Sequence, residues 1–172
     1  MEIINAILNQ FKNISLPWWI AIVIVAALLL VFCHKSRQIP ADMLVIYVLI
    51  ILASTVLTRG SLYDTEWREL VNLNLIDTWS ERLSGDFYGK SELLLNFCML
   101  LPVGVLFPWA TKRGIVLTAI AGLGLIVVIE FAQLVTRRGF FELTDIFDNT
   151  VGVIIGYGIY RFGAWLWRRW KC

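Results

Sequence analysis

Between Arg113 and Glu130 the chain runs for 16 residues (GIVLTAIAGLGLIVVI) without a single charge. Extended to residues 115–136, at 1.5 Å rise per residue, this stretch makes a helix of about 33 Å, the thickness of a bilayer's hydrocarbon core. Such a segment has few ways to fold in water, and it is not isolated. Residues 17–33 are uncharged and open on Trp18 and Trp19. Residues 43–58 are uncharged and end at Arg59. Residues 93–110 are apolar apart from Asn96, and contain Pro102 and Pro108. Residues 146–167 are less clean, holding Asp148, Asn149 and Arg161. Composition agrees: 59% of residues are hydrophobic, 16% are charged and mean hydropathy is +0.74. Soluble domains carry about 25% charged residues, so a soluble, disordered or fibrous chain is excluded. Eight Trp, ten Phe and five Tyr suit a chain anchored at two membrane interfaces. A net charge of +2 gives no reason to expect nucleic acid.

The expected architecture is an all-α polytopic membrane bundle of about five transmembrane helices. Residues 17–172 form one transmembrane domain. Ahead of it, residues 1–16 place Ile3, Ile4, Ile7, Leu8 and Phe11 at helical spacing, which reads as an interfacial amphipathic helix. That segment is too polar for a cleavable signal peptide. Residues 59–90 form the one long connection, where six acids mix with Tyr63, Trp67, Leu70, Leu73, Leu75 and Trp79, as expected of an external loop structured against the membrane. With five spans, Lys35, Arg37, Lys112, Arg113, Arg168, Arg169 and Lys171 collect on one side in short, acid-free segments. Seven other basic residues lie on the opposite side, most of them dispersed over the long loop. The density difference places the amino terminus outside and the carboxyl terminus in the cytoplasm.

Ionisable groups at membrane depth cost about 2.5–3.5 kcal/mol on insertion scales and mark candidate sites. Glu130 interrupts the longest apolar run, and Gln133 and Arg137 follow at three and seven residues, on one helical face. Such a carboxylate is expected to protonate or to seek Arg137 or Arg138. Asp145, Asp148, Asn149, Gly152 and Gly156 follow helical spacing at the start of the last segment. Thr144 or Asp145 would cap that helix, and the two glycines form a small-xxx-small pair that lets another backbone come close. Asn96 lies at the same end of the bundle. His34, the only histidine, lies at the other end, so no histidine-based triad is available there. Cys33, Cys98 and Cys172 show no metal-ligand spacing, and Asp145 and Asp148 lack a second ligand motif. Neither a metal nor a cofactor is expected.

Taken in order, Asn96-Phe-Cys-Met-Leu-Leu-Pro102-Val-Gly104, Glu130-Phe-Ala-Gln133, Arg138-Gly-Phe and Asp145-Ile-Phe-Asp-Asn149-Thr-Val-Gly152, with Gly156-Tyr157, resemble the VanZ-like family. The resemblance begins near Asn72-Leu-Asn-Leu-Ile and runs to Tyr160. It departs from the family pattern at Asp77, where proline is usual, and it leaves open which of Arg137 and Arg138 is the family's arginine. It implies a multi-span protein of the bacterial cytoplasmic membrane, associated with resistance to teicoplanin and other glycopeptides. Three functions then compete. In the first, Asn96, Glu130, Gln133, Arg137, Arg138, Asp145, Asp148 and Asn149 bind a ligand in the outer leaflet. That ligand would be a membrane lipid, a lipid-linked cell-wall precursor or a lipoglycopeptide. In the second, Glu130 and Asp145 are the catalytic carboxylates of an intramembrane hydrolase or transferase. In the third, the polar seam only holds helices or a partner subunit together.

Overall fold

The computed structural model describes residues 39–170, apart from Thr58, Ser61 and Asp86. The expected interfacial helix, the first span, His34, Cys33 and Cys172 lie outside the described residues. The protein is mostly helical: α1 (Ile39–Leu52), a π-helical turn (Ala53–Leu57), β1 (Val71–Asn72), α2 (Leu75–Ser84), α3 (Phe87–Met99), α4 (Leu101–Thr111), α5 (Ile115–Val135), β2 (Phe141–Glu142) and α6 (Leu143–Trp170).

Among the described residues three helical stretches are long and apolar enough to cross a membrane: Ile39–Leu57, Gly89–Thr111 and Ile115–Val135. Of the five expected spans, three are thus supported. The fourth described segment, α6, has 28 residues and extends about 42 Å, but Asp145, Asp148 and Arg161 interrupt it and it falls outside that set.

Local chemistry explains the irregularities. At the end of α1, the Ser54 and Thr55 hydroxyls both donate to the Ile51 carbonyl, at 2.9 and 2.8 Å. They compete with the backbone for that acceptor, and the helix relaxes into a π turn. The span Gly89–Thr111 breaks at Leu100, because Pro102 has no N–H to carry the helix through. Tyr47 of α1 donates to the Met99 carbonyl beside the break at 2.8 Å.

The two short strands pair in parallel, with Val71 opposite Phe141 and Asn72 opposite Glu142. Together with hydrogen bonds from Leu62 N to the Arg137 carbonyl and from Phe141 N to the Leu70 carbonyl, they tie the long connection to the α5–α6 turn. This β pair is the one element an all-α reading omits. Two residues per strand carry no period from which a strand could be read.

α6 is the centre of the bundle and packs against α3, α4 and α5, while α1 lies against α4. Ile51, Leu100, Val103, Ile126, Ile129, Ile146 and Val153 form the core. Glycines set the closest approaches. A Cβ on Gly152 would strike the Phe97 carbonyl oxygen, one on Gly156 the Leu101 carbonyl oxygen, and one on Gly104 the Val153 carbonyl oxygen. The small-xxx-small pair is thus a packing device, bringing the first half of α6 against α3 and α4.

Candidate functional site

At one end of the bundle four helices, with Glu142 of β2 beside them, bring polar side chains together. α6 supplies Asp145, Asp148 and Asn149, and the end of α5 supplies Glu130 and Gln133; all five are buried. α3 contributes Glu92 and Asn96. The fourth element is α2, from the long connection. Its N-terminus is fixed reciprocally: Asn74 Oδ1 accepts from Asp77 N at 3.3 Å, and Asn74 Nδ2 donates to Asp77 Oδ2 at 2.6 Å. Asp77, the departure from the family's proline, thus has work of its own, and proline there would lack the N–H being capped. Trp79 and Arg82, one turn apart on α2, face the cluster.

Arg82 is its hub. It is 8% exposed, yet bonded to three carboxylates: Nη1 donates to Asp145 Oδ1 at 2.8 Å, Nη2 donates to Glu142 Oε2, and Glu92 Oε1 lies 3.5 Å from Nη2. Burial opposes its charge, but the Asp145 hydrogen bond and the charges of Asp145, Glu92 and Glu142 outweigh it and push the Arg82 pKa up. Asn96 Nδ2 donates to the same Asp145 oxygen at 2.7 Å. Glu142 links the hub to α5, because its backbone N–H donates to Glu130 Oε2 at 3.0 Å. Trp79 Nε1 donates to Asp148 Oδ1 at 3.1 Å. Asn149 Nδ2 turns back to the Asp145 carbonyl at 2.8 Å. Two buried oxygens, Asp148 Oδ2 and Asn149 Oδ1, have no partner among the described residues. Orphans of this kind cost about 1–3 kcal/mol each and are few in folded proteins.

The expected arginines are elsewhere. Arg137 adopts a left-handed conformation with φ 51°. Its guanidinium donates to the Tyr63 carbonyl at 2.7 Å and lies 4.2 Å from the Trp67 ring centroid. Arg138 donates to the Leu57 carbonyl at 2.9 Å. Neither pairs with Glu130, and the reason is geometric. α5 ends at Val135, and Arg138 N bonds back to the Gln133 carbonyl at 2.9 Å. The chain therefore turns away before a seventh residue can align with Glu130. Gln133 instead meets Arg59, whose Nη1 donates to its Oε1 at 3.4 Å. Sequence reasoning missed Arg82, Trp79, Glu92, Glu142 and Arg59. The available signal was Leu75, Trp79 and Arg82 at helical spacing within an otherwise acidic loop. Among the described residues no group of three His, Cys, Asp or Glu side chains is placed to hold a metal ion.

The family model described as VanZ/LLP1 matches residues 18–167. The chain belongs to the VanZ/LLP1 family. No curated protein and no solved structure matches it. The VanZ/LLP1 match spans every residue of the cluster. Asn96, Glu130 and Asp145, from three of the separated motifs, meet at this one end of the molecule.

Beside the cluster a groove of about 640 Å³ runs between α2 and α6, lined mainly by Leu75, Ile76, Trp79, Leu83 and Phe147. Trp79 belongs to both: its ring lines the groove and its N–H enters the polar network.

Glu142, outside the candidate spans, reports on the cluster through pH. Burial pushes its carboxyl pKa up and the Asp145 charge adds to the rise, against the pull of Arg82. The folded state thus holds this proton more tightly than the unfolded chain does. The stability it contributes is complete below the ordinary value of 4.5 and is lost as pH rises through the elevated folded value. Melting temperatures of purified wild type and Glu142→Gln, followed upward from that pH, are expected to diverge in slope, the variant falling less. Parallel curves would place the Glu142 proton outside the folding equilibrium.

Proposed function

We propose that this VanZ/LLP1 protein binds a lipid-linked or lipidated ligand from the outer leaflet and lowers the effect of teicoplanin-type glycopeptides on the cell that carries it. The observation behind this reading is the position of Trp79. One residue borders an apolar groove suited to an acyl chain and a buried network of carboxylates, arginine and amides suited to a polar headgroup. Binding sites commonly pair a largely apolar wall with a few convergent polar groups. In this reading one kind of headgroup is favoured. Arg82 is already engaged by carboxylates, which makes it a poor phosphate clamp, whereas Asp148 Oδ2 and Asn149 Oδ1 are acceptors without donors. A headgroup bearing N–H or O–H donors would satisfy those oxygens, which are fully buried and so would have to be uncovered as it binds.

The test is binding of labelled teicoplanin and of an undecaprenyl-linked peptidoglycan precursor to the protein in nanodiscs, alongside a glycopeptide lacking an acyl chain. Trp79→Phe keeps an aromatic ring but removes the N–H to Asp148 and part of the groove wall, and is expected to weaken binding about tenfold through loss of the wall shared by groove and network. Full affinity in Trp79→Phe, or equal binding of the chain-free glycopeptide, would refute the reading. Release of a cleaved or transferred lipid product, lost in Glu130→Gln, would move the protein to the class of intramembrane enzymes.

A further inference from the structure

α2 has three faces. Leu75, Thr78, Trp79 and Arg82 point inward and are buried or half-buried. On one outer flank lie Asn74, Asp77 and Glu81, all exposed. On the other lie Ile76, 77% exposed, and Leu83, 44% exposed, with Ser80 between them and Leu73 ahead of them. Residues three and four apart share a helical face, so 76, 80 and 83 form one line and 77 and 81 another. A surface helix of a water-soluble protein turns its apolar stripe inward and its charges outward. In α2 the arginine is inside, while isoleucine and leucine point away from the protein.

The apolar flank is also not alone. It continues across the α2–α6 groove to Phe147 of α6, which is 44% exposed, and Leu143 beside it is exposed as well. The groove lining carries no charge, and the Ser84 hydroxyl at its end is satisfied by the Ser80 carbonyl at 2.7 Å. Phe131 and Val135, at the same end of the membrane-crossing helix α5, are exposed too. An apolar face beside a charged, exposed edge is the amphipathic division of a helix lying in a membrane interface, here with an acidic edge where a basic one is usual.

We propose that α2 is an in-plane interfacial helix, with Ile76, Leu83 and the groove among the acyl chains of the bilayer and with Asp77 and Glu81 in the headgroup layer. The occupant of the groove in the resting protein is a bilayer acyl chain. The exposed apolar residues Phe131 and Val135 at the same end of α5, a helix apolar enough to cross a membrane, favour this over a protein partner, and so does the division of α2 into one apolar and one charged flank, which fits a planar boundary between water and lipid. In this position α2 holds Arg82 and Trp79 over the ends of α5 and α6 from the membrane side. A lipid in the groove therefore borders the polar cluster without passing through water. The placement of α2 is independent of which ligand the cluster takes.

The experiment uses the full chain with its three cysteines replaced by serine and a nitroxide attached in turn at positions 76, 77, 81 and 83. Each protein is reconstituted in phosphatidylethanolamine–phosphatidylglycerol vesicles. Collision with dissolved oxygen is expected to exceed collision with a water-soluble nickel chelate severalfold at 76 and 83, with the reverse at 77 and 81. Equal nickel access at all four sites would put the helix in water. Spin–spin broadening at 76 and 83 would show a second copy covering the face instead of lipid. Either result overturns the proposal. Unlabelled wild-type protein gives a check independent of substitution, by photo-crosslinking with a phosphatidylglycerol that carries a diazirine on its acyl chain. Adducts are expected on Ile76, Leu83 and Phe147, and adducts on α5 with none on α2 would likewise overturn it.

Discussion

Arg82→Ala is expected to cost about 3–5 kcal/mol, the loss seen when one partner of a buried ion pair is removed. Total stabilities of folded domains are about 5–15 kcal/mol, so most of the folded protein should disappear. The loss comes from the charges that remain behind. Asp145 and Glu142 lie close around the guanidinium, with Glu92 at the edge, and alanine would leave their charges facing each other in a space that Arg82 had filled. Asn96 would still donate to the Asp145 carboxylate, but an amide brings no compensating charge. The monodisperse fraction after detergent extraction, and the melting temperature of that fraction, measure the effect. Arg82→Lys should recover part of the loss, since a compact ammonium cannot fork between two carboxylates as a guanidinium does. Arg82→Met combined with Asp145→Asn and Glu142→Gln should recover more, because it removes the uncompensated charges together with the arginine. If Arg82→Ala alone melted like the wild type, the hub described above would be wrong.

Gly152→Ala is expected to be nearly as severe. The added methyl group would meet the Phe97 carbonyl oxygen, which is backbone in a packed helix and cannot rotate aside. Overpacking in a dense core costs about 1–3 kcal/mol, and more where backbone must move. Movement would also reach the polar cluster. Asp145, Asp148 and Asn149 sit on the first turns of the same helix, so a retreat of α6 pulls them from Arg82, Asn96 and Trp79. The comparison lies within α6 itself. A Cβ on Gly158 or Gly163 would have nothing within 4 Å, and alanine at either should stabilise the helix by about 0.5–1 kcal/mol through lower backbone entropy. Paired melting curves of the alanine variants at 152 and 158 decide the matter. Equal melting temperatures would mean that the close approach of α6 to α3 has no energetic weight.

How much of this was legible beforehand differs from element to element. The span Ile115–Val135 and the bulk of α1 follow from runs of apolar residues, because in a bilayer only a helix satisfies every backbone N–H and C=O within the segment. Asn96, Glu130 and Asp145 announced themselves for the complementary reason, as polar groups where none is tolerated without a partner. The glycine pair of α6 was readable as a place for close packing. Arg82 was not readable in the same way. In a loop rich in acids an arginine looks solvated, and its burial depends on the turn of chain that carries α2 back onto α6. Arg137 misled for the opposite reason, since its alignment with Glu130 required a helix that the chain leaves at Val135.

The sequence by itself determined the apolar character of the chain, three helices apolar enough to cross a membrane and the residues that do not belong in hydrocarbon, because each of these depends on local composition and a period along the chain. Only the tertiary structure decided which cation meets those acids. It chose Arg82 over Arg137 and Arg138, and it set Trp79 between the acids and an apolar groove. Pairings across 60 or more residues, such as Arg82 with Asp145 and Trp79 with Asp148, leave no trace in local pattern. They are fixed by where α2 docks, and that is settled by packing of the whole chain together with the cost of leaving a buried carboxylate unpaired.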